Sequence, residues 1–73
     1  MRIDNKDVGE MLLIKRRDLG MTQSDLAERI GTTRQTIARI EDGEFGSIAF
    51  STFEKALNCL GYSLEIERGF RAG

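Results

Sequence analysis

The stretch from Thr22 to Gly43, TQSDLAERIGTTRQTIARIEDG, constrains this chain more than any other, because nearly every position in it has an assignable physical role. Thr22 is a good helix N-cap, and Asp25, three residues on, is placed to bond back to the cap's own N–H as in a capping box. Leu26, Ala27 and Ile30 follow at helical spacing and make one apolar stripe. Gly31 ends that helix where the chain must visit a conformation that a Cβ would oppose. Thr33 caps a second helix, with Ile37 and Ile40 directed inward and Gly43 as its stop. With those isoleucines facing a core, Gln35 and Arg39 lie one turn apart on the opposite face. Two capped helices, a glycine turn and an outer face of Gln and Arg meet the requirements of a DNA major-groove reader.

The elements on either side give this pair of helices something to pack against. A first helix is predicted from Asn5 or Lys6 to Leu19, capped by Asp4 or Asn5, with Val8, Met11, Leu12 and Leu19 on one core-facing arc. Leu13 and Ile14 fall off that arc and either cover neighbouring elements or form an exposed contact for another chain. Ser51-Thr52-Phe53-Glu54 reads as a further capping box, opening a helix that ends at Gly61 and buries Phe53, Ala56, Leu57 and Leu60. In the intervening loop, Glu44-Phe45-Gly46-Ser47-Ile48-Ala49-Phe50, the two phenylalanines either pin the loop to the core or offer an aromatic to a partner.

Beyond Gly61 the pattern changes. Tyr62-Ser63-Leu64-Glu65-Ile66-Glu67 alternates apolar and polar residues with period two, as a half-buried strand does. A lone strand leaves its backbone unsatisfied. Pairing with the same strand of a second copy across a two-fold axis is the economical solution, with Tyr62, Leu64 and Ile66 covering the helices. A frayed tail and a strand added to a partner's sheet are the alternatives. The chain thus divides into a helical domain (1–61), a dimerisation strand (62–67) and a flexible tail (68–73).

Composition narrows the functional classes. With 73 residues there is room for one small domain, and 40% apolar with 32% charged residues is a globular composition. There is no bilayer-length apolar run and no signal-peptide pattern, so no membrane association and a cytoplasmic, nucleoid-associated location are expected. One cysteine and no histidine leave no intrachain disulfide and no conventional zinc cluster, and Cys59 reads as a small core residue. With no metal constellation and no phosphate loop, neither a cofactor nor an enzymatic activity is expected. The net charge of −1 is not the basic balance usual in a DNA-binding domain. Distribution matters more than the sum, however. Lys15, Arg16 and Arg17 cluster at the end of the first helix, and Arg34 and Arg39 lie on the reading helix.

The segment resembles the helix-turn-helix of phage repressor and Cro proteins, the XRE-like family. The resemblance runs upstream through Arg16-Arg17-Asp18-Leu19-Gly20-Met21-Thr22-Gln23, similar to that family's RRxxLGLTQ, and downstream through Ile40-Glu41-Asp42-Gly43 to the helix end at Gly61, covering residues 8–61. It implies an all-α, lambda-repressor-like domain of four to five helices, here followed by the short strand that pairs across a dimer. It also implies roles for particular residues. Arg16 would pair with Glu41, a structural tie between the first and third helices. Gln23 and its cap Thr22 would reach phosphate. Arg34, Gln35, Thr36 and Arg39 would face base edges, where Arg suits guanine and Gln suits adenine. Lys15 and Arg17 would serve either as phosphate contacts or as general electrostatics. The loop after Gly43 departs from the family by lacking basic residues and proline.

The run LGYSLEIE, placed directly after the helix-turn-helix, is similar to the HipB-like antitoxins. That resemblance implies a homodimeric repressor of its own operon, bound to a palindromic double-stranded operator and holding a HipA-like kinase toxin. A stand-alone regulator of the phage-repressor or restriction-modification type, and a protein-interaction module with weak DNA binding, are the other readings.

Overall fold

Four helices make up the part of the chain described by this computed structural model, residues 4–63: α1 (Asn5–Asp18), α2 (Gln23–Ile30), α3 (Arg34–Glu41) and α4 (Phe50–Cys59). Local chemistry accounts for where three of them begin. At α1 the Asp4 carboxylate accepts from the Asp7 N–H at 3.0 Å, and the Asp7 carboxylate accepts from the Asp4 N–H at 3.2 Å. At α2 the same reciprocal pair joins Thr22 and Asp25 at 3.0 and 2.9 Å, as predicted. At α3 the Thr33 hydroxyl accepts from the Thr36 N–H at 3.2 Å.

The fourth helix corrects the sequence reading. It opens at Phe50, one residue before the predicted Ser51 cap, and Ala49 caps it with no side-chain bond. The N–H groups of Thr52 and Phe53 both donate to the Ala49 carbonyl, so Ser51 lies inside the first turn, where its hydroxyl cannot cap. Beside this start, Phe53 stands against Phe45 with ring centroids 4.9 Å apart at 51°, a contact between segments that a local capping pattern does not encode.

All four helices end alike, on Gly20, Gly31, Gly43 and Gly61, with φ between 73° and 92°. The next residue's N–H reaches back to a carbonyl in the last turn: Met21 to Arg16, Thr32 to Ala27, Glu44 to Arg39 and Tyr62 to Leu57, at 2.9–3.1 Å. Such a 6→1 bond requires a left-handed residue just before its donor, which is why glycine recurs at these four places.

The core consists of Leu12, Leu26, Ala27, Ile37, Ile40, Ala56, Leu57 and Leu60, surrounded by half-buried Val8, Met21, Ile30, Phe45, Ile48, Phe53, Cys59 and Tyr62. Helix α3 packs on α1 and α2, and α4 packs on α2. Two apolar residues placed on the core-facing arc are exposed, Met11 at 39% and Leu19 at 50%, and of the two loop phenylalanines Phe50 is 57% exposed. The face that α1 buries is narrower than the predicted arc and consists of Gly9, Leu12 and Arg16. Met11 points off it, and Leu19 is the residue following the last helical position, where the chain turns away. Ile14 is also exposed, at 51%, whereas Leu13 is half-buried. Only Phe45 of the loop pair is held against the core.

The structure also reveals why α1 carries a glycine in mid-helix. A Cβ on Gly9 would stand 2.5 Å from the Glu41 carbonyl oxygen and 2.6 Å from that of Ile40. At that point the backbones of α1 and α3 are in direct contact.

Among the described residues there are four helices and no strand. Tyr62, the first residue of the expected strand, is half-buried beside the core. Leu64, Ile66 and the rest of the expected strand and tail lie outside the described residues. No helix among those described is long and apolar enough to cross a membrane.

Candidate nucleic-acid interface

One outer surface collects most of the residues that sequence reasoning selected. On α3, Arg34, Gln35 and Arg39 are exposed, carried there by the burial of Ile37 and Ile40 on the opposite face. Because these inward residues sit at i and i+3, the outward ones are fixed to one side of a rigid two-turn helix. Thr36 is less available: it is half-buried, and its hydroxyl lies 3.0 Å from that of Thr33.

A shallow open cleft of about 430 Å³ adjoins this face, lined by Arg17, Thr22, Gln23, Ser24 and Arg34 with Leu13, Arg16 and Met21 behind them. It lies where α2 begins, at the positive end of that helix, with Arg17 and Arg34 among its lining residues and Asp25 in the same first turn. Arg17 and Arg34 are both exposed. A polyanion laid across this surface meets charge, N–H donors and a side-chain amide together, which is the chemistry of backbone phosphate contact. Lys15 is half-buried on α1 and is not among the residues lining the cleft.

Beneath the cleft lies a buried ionic network. Arg16 Nε donates to Glu41 Oε2 at 2.6 Å, and Arg16 Nη2 donates to Glu41 Oε1 at 3.1 Å, a bidentate pairing. The third guanidinium nitrogen, Nη1, donates to the Met21 carbonyl at 2.7 Å, holding the turn that leads into α2. The hydrogen bond to Glu41 raises the Arg16 guanidinium above its ordinary value despite the opposing effect of burial. Gln23 joins the network from outside, its Nε2 donating to Glu41 Oε1 at 2.9 Å. No buried side-chain polar atom among the described residues lacks a partner, as a buried ion pair requires. At the rim, the Thr22 N–H and hydroxyl hold the Asp25 carboxyl below the ordinary aspartate range.

Two helices joined by a tight turn, with the second presenting Gln and Arg outward, match a known architecture. Residues 12–66 match the helix-turn-helix family. The chain belongs to that family. The likeness in sequence and structure makes this an XRE-type DNA-binding domain with α2 and α3 as its motif. An uncharacterized HTH-type transcriptional regulator of Methanothermobacter thermautotrophicus is 57% identical over 30 residues, which are 41% of this chain and 44% of that protein. The helix-turn-helix domain thus aligns with less than half of that curated relative. Among solved structures, a chain of the HipA-HipB-O2-O3 complex superposes with a TM-score of 0.75 at 26% identity, over 96% of this chain and 97% of that one. Hydroxypropylphosphonic acid epoxidase from S. wedmorenis superposes with a TM-score of 0.70 at 27% identity, over 86% of this chain but only 33% of the epoxidase. The helix-turn-helix fold therefore occurs there as one part of a much longer chain.

Sequence reasoning missed two features of this surface. The first is Gly9, whose close approach sets the distance between α1 and the end of α3. Its signal was the glycine itself, since an isolated glycine in a helical pattern costs about 1 kcal/mol against alanine. The second is the inward bond of Gln23 to Glu41. Eighteen residues separate that pair, and nothing local announces it.

Proposed function

We propose that this chain is a homodimeric repressor that binds a palindromic operator of its own operon, and that it is the antitoxin of a HipBA-like pair holding a HipA-like kinase toxin. The observation that carries this reading is the extent of the match. The HipB-like superposition takes in 96% of this chain and 97% of its counterpart, so the likeness extends over nearly all of the counterpart and not over one domain of it. In the proposed complex α3 lies in the major groove. Arg34, Gln35 and Arg39 meet base edges, and Thr36 contributes through its methyl group or hydroxyl. Thr22, Gln23, Arg17 and Lys15 hold phosphates. Each good bidentate contact to a base contributes roughly 1–3 kcal/mol of discrimination.

The dimer follows from two considerations. A chain with net charge −1 has limited attraction for phosphate as a single copy, and two copies double the contacts. The alternating segment from Tyr62 to Glu67 has the pattern of a strand that needs a partner, supplied here by Tyr62, Leu64 and Ile66 of each copy. Half-sites about one helical turn apart are then expected.

The test is binding of the full chain to DNA from upstream of its own gene at two salt concentrations, for the natural protein and for Gln35→Ala/Arg39→Ala. Tight, salt-sensitive binding that the double variant loses supports the repressor. Loss of dimer mass on deletion of residues 62–73 supports the strand, and an unchanged dimer mass refutes it. A stand-alone regulator without a toxin is the second reading, favoured by the match to an HTH-type transcriptional regulator. An adjacent kinase-like gene whose product co-purifies with this chain separates the two.

A further inference from the structure

We propose that Glu41, from inside the core, is a positioning residue for the DNA surface, acting through Gln23; this rests on the DNA-binding reading above. Glu41 is 7% exposed and cannot itself touch DNA. Its Oε1 nevertheless accepts from two directions: from Arg16 Nη2 at 3.1 Å within the core and from Gln23 Nε2 at 2.9 Å at the edge of the cleft. Gln23 is the first residue of α2, half-buried, with Arg17, Thr22, Ser24 and Arg34 around it. A glutamine side chain at a helix start ordinarily samples several rotamers and must lose that freedom on binding.

The carboxylate fixes the amide in two respects. Distance restricts the rotamer, and charge settles which end of the carboxamide faces inward. The NH₂ group must point at Glu41, because the amide oxygen would be repelled by the carboxylate. One N–H is thereby used, and the second remains for an acceptor in the cleft. A DNA phosphate oxygen is an acceptor of that kind. The ion pair supplies the rigidity: Arg16 holds both carboxylate oxygens, so Glu41 has little freedom to follow Gln23 outward. The residue that ties α1 to α3 therefore also sets a donor for the phosphate backbone.

Because Gln23 is neutral, its contribution has a signature distinct from that of the arginines around it. Losing it weakens binding without changing the number of counterions released, whereas Arg17→Ala lowers the slope of log K against log salt by about 1. The experiment uses the full chain and a mixed-sequence DNA duplex, with Gln23→Ala, Glu41→Gln and the double variant, each corrected for its folded fraction. Gln23→Ala is expected to weaken binding roughly fivefold with an unchanged salt slope, the size of one lost hydrogen bond. Glu41→Gln is expected to weaken it by a similar factor in the natural background and not at all alongside Gln23→Ala. An equal loss from Glu41→Gln in both backgrounds, or no loss in either, overturns the proposal. If Glu41→Gln does not fold, the Gln23 side-chain amide of the natural chain decides by NMR: an order parameter near 0.85 is expected, and one below about 0.6 refutes a fixed rotamer. Absence of salt-dependent binding by the natural chain would instead remove the DNA-binding reading itself.

Discussion

Gly9→Ala is the substitution for which local and tertiary considerations disagree most sharply. In a helix interior, alanine is the better residue by about 1 kcal/mol, so propensity alone predicts a more stable protein. The tertiary structure reverses the sign. The new Cβ would stand 2.5 Å from the Glu41 carbonyl oxygen, 2.6 Å from the Ile40 carbonyl oxygen and 2.9 Å from the Glu41 carbonyl carbon, where ordinary contact begins at 3.4 Å. The shortfall is about 0.9 Å, and all three atoms are backbone, so no side chain can rotate away. Either α1 or the end of α3 must move, and Arg16–Glu41 spans the same gap at 2.6 Å. Overpacking of this kind costs roughly 1–3 kcal/mol and outweighs the gain in propensity. Urea denaturation of the natural chain and of Gly9→Ala should show a lower midpoint for the variant. Each kcal/mol of net loss should lower the thermal midpoint by roughly 4–8 °C in a domain this small. Gly46→Ala is the control, since a Cβ there meets nothing within 4 Å and its φ is not positive. Equal or greater stability of Gly9→Ala would refute the close approach of α1 to α3.

Two further outcomes follow from the same interior. Removing one member of the buried pair, by Arg16→Met or Glu41→Leu, should cost about 3 kcal/mol because the remaining charge is left buried and unpaired. The double variant should cost well under the sum, and additive losses in a urea-melt double-mutant cycle would contradict the geometry. At the start of α2, the Thr22 N–H and hydroxyl lower the Asp25 carboxyl below its ordinary value of 3.8. A group depressed in the folded state contributes above its unfolded value, so this stabilisation is present at neutral pH and is lost as pH falls through and below 3.8. Asp25→Asn should therefore flatten the acid limb of the stability profile, and an unchanged limb would argue against the capping box.

Much of the candidate site was legible because its determinants are local. Thr22 with Asp25, and Thr33, lie within one turn of the N–H groups they cap, so the starts of α2 and α3 follow from residue type and spacing alone. The outward placement of Gln35 and Arg39 follows from the inward spacing of Ile37 and Ile40. The misreadings have one cause in common. Met11, Leu19 and Phe50 are apolar residues at plausible core positions, yet burial depends on whether another element arrives to cover them. Ser51-Thr52-Phe53-Glu54 has the composition of a capping box, but the helix starts at Phe50, one residue upstream of it, and Phe53 packs on Phe45.

By itself, then, the amino-acid sequence determined four helices, the glycine stops at Gly31, Gly43 and Gly61, and the polar face of α3, because each depends on interactions spanning a few residues. Only the tertiary structure decided the narrow contact at Gly9, the exposure of Met11 and Phe50, and the joining of Gln23 to the Arg16–Glu41 pair that the family resemblance implied. Those depend on distances between segments up to 32 residues apart, from Gly9 to Glu41, which the packing of whole helices sets and no local pattern encodes.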